Sequence, residues 1–197
     1  MDKTIEYYEK NAGEFVESTV SVDFQKMQDR FLEKLEEGAM ILDLGCGSGR
    51  DTRYFLQKGY QTEAADGSRE LCRKASRYTG IQVKHMLFQE LDEQEKYNGV
   101  WACSSILHLP KKELADVMKR IRRALKTQGI LYTSFKYGSF EGYRNGRYFT
   151  DFTEESFSLF LQDIQGFVIE EIWTTKDVRP GRSGEQWLNM ILRKTEK

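Results

Sequence analysis

The chain has 197 residues, 39% of them hydrophobic, with 30 basic residues against 31 acidic ones. That length supports one domain with its own core and no disulfide staples, and the near-zero net charge argues against a general nucleic-acid or membrane-surface binder. The three cysteines, Cys46, Cys72 and Cys103, form no Cys-x-x-Cys pair, no long apolar run occurs, and Met1–Lys10 is charged throughout; the expectation is a cytoplasmic protein with reduced thiols and neither signal core nor membrane span.

The first segment, Thr4–Leu35, reads as helical, so residues 1–37 are expected to form an N-terminal helical segment ahead of a core at 38–197. Short apolar runs bounded by Gly or polar residues give strand candidates at Ala39–Leu44, Tyr60–Ala65, Ile81–Met86, Gly99–Cys103 and Gly129–Phe135. Between them lie helical patterns at Asp51–Lys58, Arg69–Tyr78 and Lys111–Leu125, the last with Leu114, Val117, Met118, Ile121 and Leu125 in one stripe. Strands alternating with helices make βαβ units, hence a parallel sheet covered on both faces. The tail differs: a helix near Glu154–Leu161 precedes strands Phe167–Thr174 and Gln186–Leu192, joined only by Thr175–Glu185. That link is too short for a parallel crossover, so these two strands are expected to be antiparallel. Pro110 and Pro180 mark loops.

The most informative stretch is Ile41-Leu42-Asp43-Leu44-Gly45-Cys46-Gly47-Ser48-Gly49-Arg50. An apolar strand ends in a glycine turn that opens a helix. Glycine lets backbone approach a ligand closely, and the helix start offers free N–H groups. The dinucleotide fingerprint Gly-x-Gly-x-x-Gly is not met, because Arg50 stands at its third glycine. The spacing is Gly-x-Gly-x-Gly, with Asp43 just ahead and a second acid, Asp66, closing the next strand. A carboxylate at that strand end can accept from both hydroxyls of a ribose.

On these residues the chain resembles the class I methyltransferases that use S-adenosylmethionine (SAM), and most of all the small ones labelled tellurite-resistance-type, a label that covers varied acceptors. The resemblance implies an α/β, Rossmann-like fold: a seven-stranded, mostly parallel sheet with helices on both faces, an antiparallel last strand between the fifth and sixth, and an N-terminal helical lid. It implies SAM as cofactor, with S-adenosylhomocysteine (SAH) as product. Asp43, Gly45, Cys46 and Gly47 would surround the methionine end, Asp66 with Gly67 and Ser68 the ribose, and Leu87, Phe88 and Gln89 the adenine. Leu87 stands where the family usually has an acid, so backbone at Phe88 or the Gln89 side chain is expected to substitute. Ser104, in the loop after the fourth strand, would lie between donor and acceptor pockets.

Ligands of open α/β sheets bind beyond the carboxyl ends of the parallel strands. With that topology, His108, Lys136–Thr150 and Thr175–Glu185 all belong on the ligand side. These loops carry Lys136, Arg144, Arg147, Arg179 and Arg182, balanced in part by Glu141, Asp151, Asp177 and Glu185, among several aromatics. Arginine suits bidentate oxyanion recognition, so Arg147, Arg179 and Arg182 are the candidate acceptor ligands; the alternative is that each is a solvated charge paired with a nearby acid. Tyr7, Tyr8 and Phe15 are either lid residues over the donor or a stripe packed on the sheet. His108 is either a base or orienting group for the acceptor or a structural loop histidine; His85 reads as structural. No metal site is expected. The expected activity is methyl transfer to a small, anionic or soft-atom acceptor. Two further readings stay open: tRNA methylation, with the arginines on phosphates, and a non-catalytic SAM-binding sensor. The oligomeric state is left open.

Overall fold

Alternation along the central strands decides which side chains face which layer. In the computed structural model, which describes residues 2–179, 181, 182 and 184–196, the chain runs α1 (Lys3–Thr19), α2 (Gln25–Leu32), β1 (Met40–Leu44), α3 (Arg50–Gln57), β2 (Gln61–Asp66), α4 (Arg69–Thr79) and β3 (Lys84–His85). It continues β4 (Tyr97–Ala102), α5 (Lys111–Ala124), β5 (Leu125–Lys136), β6 (Glu141–Arg144), β7 (Arg147–Thr150), α6 (Glu154–Gln162), β8 (Phe167–Lys176) and β9 (Gln186–Lys194). Leu42, Leu44, Val100, Ala102, Leu131 and Phe135 face one side, where they pack with Leu114, Val117, Met118 and Ile121 of α5 and Phe157 and Leu161 of α6. Ile41, Trp101, Ile130 and Tyr132 face the other, against Phe31 of α2 and Phe55 of α3. Each fully buried side chain of this size contributes roughly 1.5–3 kcal/mol. Trp101 stacks on Tyr132 at 3.9 Å between ring centroids, which adds about 0.5–1.5 kcal/mol beyond the buried area.

The sheet has seven strands in the order β3-β2-β1-β4-β5-β9-β8. β1, β2, β3, β4 and β5 pair in parallel, and β9 runs antiparallel to both neighbours. This is the Rossmann-like, mostly parallel sheet expected from the sequence, with the last strand inserted between the fifth and the sixth. All loops after β1, β2, β4, β5 and β8 therefore emerge at one edge. Among the described residues no helix is long and apolar enough to cross a membrane.

Four local expectations are corrected. The helical stretch Thr4–Leu35 is two helices: residues 20–24 leave the helix, and Asp23 turns its carboxylate to the Gln25 N–H at 3.1 Å. Within α1, Asn11 has non-helical angles and bonds the Tyr7 carbonyl at 2.7 Å, which kinks the helix. The third strand shrinks from Ile81–Met86 to the exposed pair Lys84–His85, because the Ile81 and Val83 N–H groups turn to the Thr79 and Ser76 hydroxyls of α4 at 3.4 and 2.9 Å. The segment Lys136–Thr150 is not all loop, since β6 and β7 form a hairpin that turns at Asn145 and Gly146, both with positive φ; Asn-Gly is a favoured pair for such turns. Pro110 caps the start of α5, whereas Pro180 lies outside the described residues.

Candidate active site

The chain leaves β1 through Gly45, Gly47 and Gly49, with φ of 79°, 55° and 80°. Left-handed angles in series keep the turn tight, and only glycine adopts them without strain. A Cβ on Gly45 would stand 2.5 Å from the Ser105 Cβ, and one on Gly47 2.9 Å from the Phe15 ring. The loop thus forms a bare backbone cradle with Phe15 of α1 above it. Asp66 closes β2 behind the cradle. One carboxylate oxygen accepts the Gly47 N–H and the other the Ser68 N–H, each at 2.9 Å. Burial raises the Asp66 pKa, and the two N–H groups pull it back down. Each oxygen retains a lone pair for a further donor. A glycine cradle beside a carboxylate with free acceptor capacity fits the ribose and amino-acid ends of SAM.

Not every donor-side residue read from the sequence reaches the cavity. Gly45, Cys46, Gly47, Asp66, Gly67, Leu87, Phe88, Gln89 and Ser104 line it. Asp43 does not: it sits buried beneath the loop and accepts from Thr52 Oγ1 at 2.5 Å. Burial and the charge of Asp51 raise its pKa. Ser68 is also set back, capping α4 through the Leu71 N–H at 3.2 Å and donating to the Glu9 carboxylate. The Gln89 side chain turns away to Glu113 at 3.0 Å, leaving Met86, Leu87 and Phe88 as the apolar wall. Ser104 holds φ at 51°, and its N–H donates to Ser134 Oγ at 2.9 Å. Burial pushes the Cys46 and Cys103 thiols up, so neither is a thiolate nucleophile at neutral pH.

Asp51 escaped the sequence reading. It lines the cavity and accepts from Gln28 Nε2 at 2.6 Å, Arg50 Nε at 2.7 Å and Trp101 Nε1 at 2.8 Å. This tie of α2, α3 and β4 is the floor of the donor side. Its only signal in the sequence is an acid in the first turn after the glycine loop.

The acceptor side continues the same cavity, about 860 Å³ in all, within the range of small-ligand sites. Tyr8 comes from α1, His108 from the turn after β4, Arg147 and Phe149 from β7, and Arg179 and Arg182 from the β8–β9 link. Tyr7 does not line it, but lies under the Arg147 guanidinium, 4.5 Å from the ring centroid. Arg179 makes two bonds to the Asp177 carboxylate, at 2.9 and 2.5 Å. Arg182 lies 3.8 Å from Glu185, and Lys136 bonds Glu185 and approaches Asp177 at 3.6 Å. Arg144 pairs with the buried Asp151 at 2.5 Å. Arg147 differs: among the described residues no carboxylate pairs with it, its buried Nε has no hydrogen-bond partner, and its one side-chain bond is to the Tyr8 hydroxyl at 3.3 Å. His108 bonds Tyr8 Oη through Nε2 at 2.8 Å and the Tyr148 carbonyl through Nδ1 at 2.6 Å. Burial pulls its pKa down to about 4, the Tyr148 bond opposing and the Arg147 charge assisting.

Residues 41–129 match the family described as a methyltransferase domain. A Bacillus subtilis protein named as a methyltransferase is 31% identical over 113 residues, 52% of this chain, and the chain spans about half of its length, 46%. The structure of 1,6-didemethyltoxoflavin-N1-methyltransferase from Burkholderia thailandensis, with SAH bound, superposes with a TM-score of 0.77 at 22% identity, covering 98% of this chain and 85% of that one. Magnesium protoporphyrin IX methyltransferase from Synechocystis, also with SAH, gives 0.74 at 18% identity over 99% and 100%. The methyltransferase-domain match thus falls on the segment that carries the glycine loop and Asp66, and the fold is the one these SAH-bound methyltransferase structures share.

Proposed function

We propose that this chain transfers the methyl group of SAM to a small acceptor that carries an anionic group or an electron-rich soft atom. When bound, SAM supplies an electrophilic methyl carbon: the acceptor lone pair forms the new bond as the carbon–sulfur bond breaks, its electrons staying on sulfur. The protein's part is to align the partners and exclude water. The observation that carries the acceptor assignment is Arg147, a guanidinium half-sunk among Tyr7, Tyr8 and Phe149 with no carboxylate beside it among the described residues. A cation so placed favours an incoming anion. Arg144, Arg179 and Arg182 are engaged with acids, which supports a small ligand over a phosphate backbone gripped by all of them.

The test starts with SAM binding by calorimetry, then follows SAH formation across carboxylate, oxyanion and thiol acceptors. Arg147→Met should raise the acceptor KM by the equivalent of about 2–4 kcal/mol with SAM affinity unchanged. Normal kinetics in that variant would return Arg147 to a packing role. Turnover on tRNA with a steep salt dependence would favour the RNA reading, and SAM binding with no turnover on any acceptor the sensor reading.

A further inference from the structure

Tyr8 and His108, 100 positions apart in the chain, meet at 2.8 Å in the acceptor half of the cavity. The direction of that bond follows from the other side of the ring. Nδ1 lies 2.6 Å from the Tyr148 carbonyl, and a carbonyl only accepts. Nδ1 therefore carries the ring proton, Nε2 is bare, and the Tyr8 hydroxyl donates to it. The phenol oxygen accepts from Arg147 Nη1 at 3.3 Å, which leaves one lone pair unused. The Phe15 ring, 5.2 Å from Tyr8, and the Phe149 ring, 4.8 Å from His108, pack edge-on against the pair.

We propose that Tyr8 takes the proton from a hydroxyl or N–H acceptor while passing its own proton to Nε2 of His108. The proposal rests on the methyl-transfer reading above and selects from it an anion-bearing acceptor methylated at oxygen or nitrogen over a soft-atom one. The acceptor atom loses its proton to the Tyr8 oxygen and keeps the lone pair that bonds to the methyl carbon. Tyr8 remains a neutral phenol, and His108 becomes an imidazolium whose two N–H groups face Tyr148 O and Tyr8 Oη. The proton returns to solvent after product leaves. Burial holds His108 neutral beforehand, so its Nε2 is free to accept, and an anion formed beside it favours the imidazolium once the proton moves. The charged groups acting on it are Arg147 and Arg144 of the hairpin and Asp2 at the start of α1. The nascent acceptor anion offsets the two arginines. A thiol acceptor, which ionises near neutral pH unaided, has no need of this relay; a hydroxyl has.

The probe is 4-nitrophenol, coloured only when ionised, added to the full chain loaded with SAH. SAH binding is checked first by calorimetry, and its failure would overturn the donor reading itself. At a pH where the free probe is mainly neutral, the bound probe should show the ionised band. In Tyr8→Phe and His108→Gln, with SAH affinity retained, the bound ionised fraction should fall by about tenfold or more, the equivalent of one pKa unit. Glutamine can keep both hydrogen bonds without the basicity, so His108→Gln separates proton transfer from packing. A probe that binds but stays neutral, an ionised band that persists in His108→Gln, or no probe binding would each overturn the relay.

Discussion

Asp66→Ala tests the donor cradle most directly. The carboxylate accepts two backbone N–H groups at 2.9 Å and lies against the cavity with its remaining lone pairs. Losing one hydrogen bond from a bound hydroxyl to a charged acceptor is worth about 1.5–3 kcal/mol, a weakening of SAM of roughly ten- to a hundredfold. The fold feels two opposed effects. The Gly47 and Ser68 N–H groups lose their partner, but a buried carboxylate with a raised pKa, itself a burden on the ligand-free chain at neutral pH, is also removed. The drop in unfolding free energy should therefore be smaller than two unpaired amides imply. Calorimetric titration with SAM and SAH, alongside thermal melting of the free protein, reads both quantities. An unchanged Kd with a lowered melting point would refute the reasoning, since Asp66 would then be only a loop tie.

Gly47→Ala places a Cβ against Phe15 at a φ of 55°; it should destabilise the fold by about 1–2 kcal/mol and weaken SAM by displacing α1, and a titration showing native affinity would argue that α1 does not cover the donor. Trp101→Phe removes the donor to Asp51 and part of the stack on Tyr132; urea unfolding should show a loss of about 2–4 kcal/mol, and a change under 1 kcal/mol would discount the network. Burial alone would raise Asp177, but Arg179, its backbone N–H and Trp187 outweigh it and hold the carboxyl well below the usual range. A depressed carboxyl stabilises above its unfolded pKa and loses that contribution as pH falls through the ordinary carboxylate range toward the folded value. The melting-point gap between wild type and Asp177→Asn should therefore narrow on acidification, whereas a gap constant with pH would contradict the ion-pair account.

The donor half was the more legible part of the chain because its determinants are local. Gly45, Gly47 and Asp66 are fixed by strand ends and a turn, and period-two and helical patterns place those ends within a few residues. The stripe on α5 sits where its spacing puts it. The hairpin β6–β7 was also written in the sequence, at Asn145-Gly146, but its flanking residues lack a clean apolar alternation, since Glu141 and Tyr143 are exposed and Arg144 is half-buried. The recess of Asp43 and Ser68 was not legible, since which face of a loop meets ligand depends on the helix packed behind it. The acceptor half is tertiary throughout. Whether Arg179 or Arg147 is the free guanidinium turns on which of them reaches a carboxylate, and Asp177, two residues from Arg179, settles that only once the loop is folded. Tyr8 and His108 were each singled out, yet nothing along the chain marks them as partners.

The two halves of the cavity draw most of their walls from different stretches of chain. Residues between β1 and the start of α5 build most of the donor side and lend His108 to the acceptor side, whose other walls come from α1, the β6–β7 hairpin and the β8–β9 link. The hairpin's strands pair only with each other, and its residues reach α1 and the turn after β4 through Tyr148 and Arg147. Its tip, from Glu141 to Gly146, can therefore change without altering a pairing of the main sheet, while Phe149 and Thr150 stay buried. Such a scaffold lets specificity drift while the donor machinery stays fixed, so a graft of this hairpin onto another member of the fold is a route to moving acceptor choice as a module.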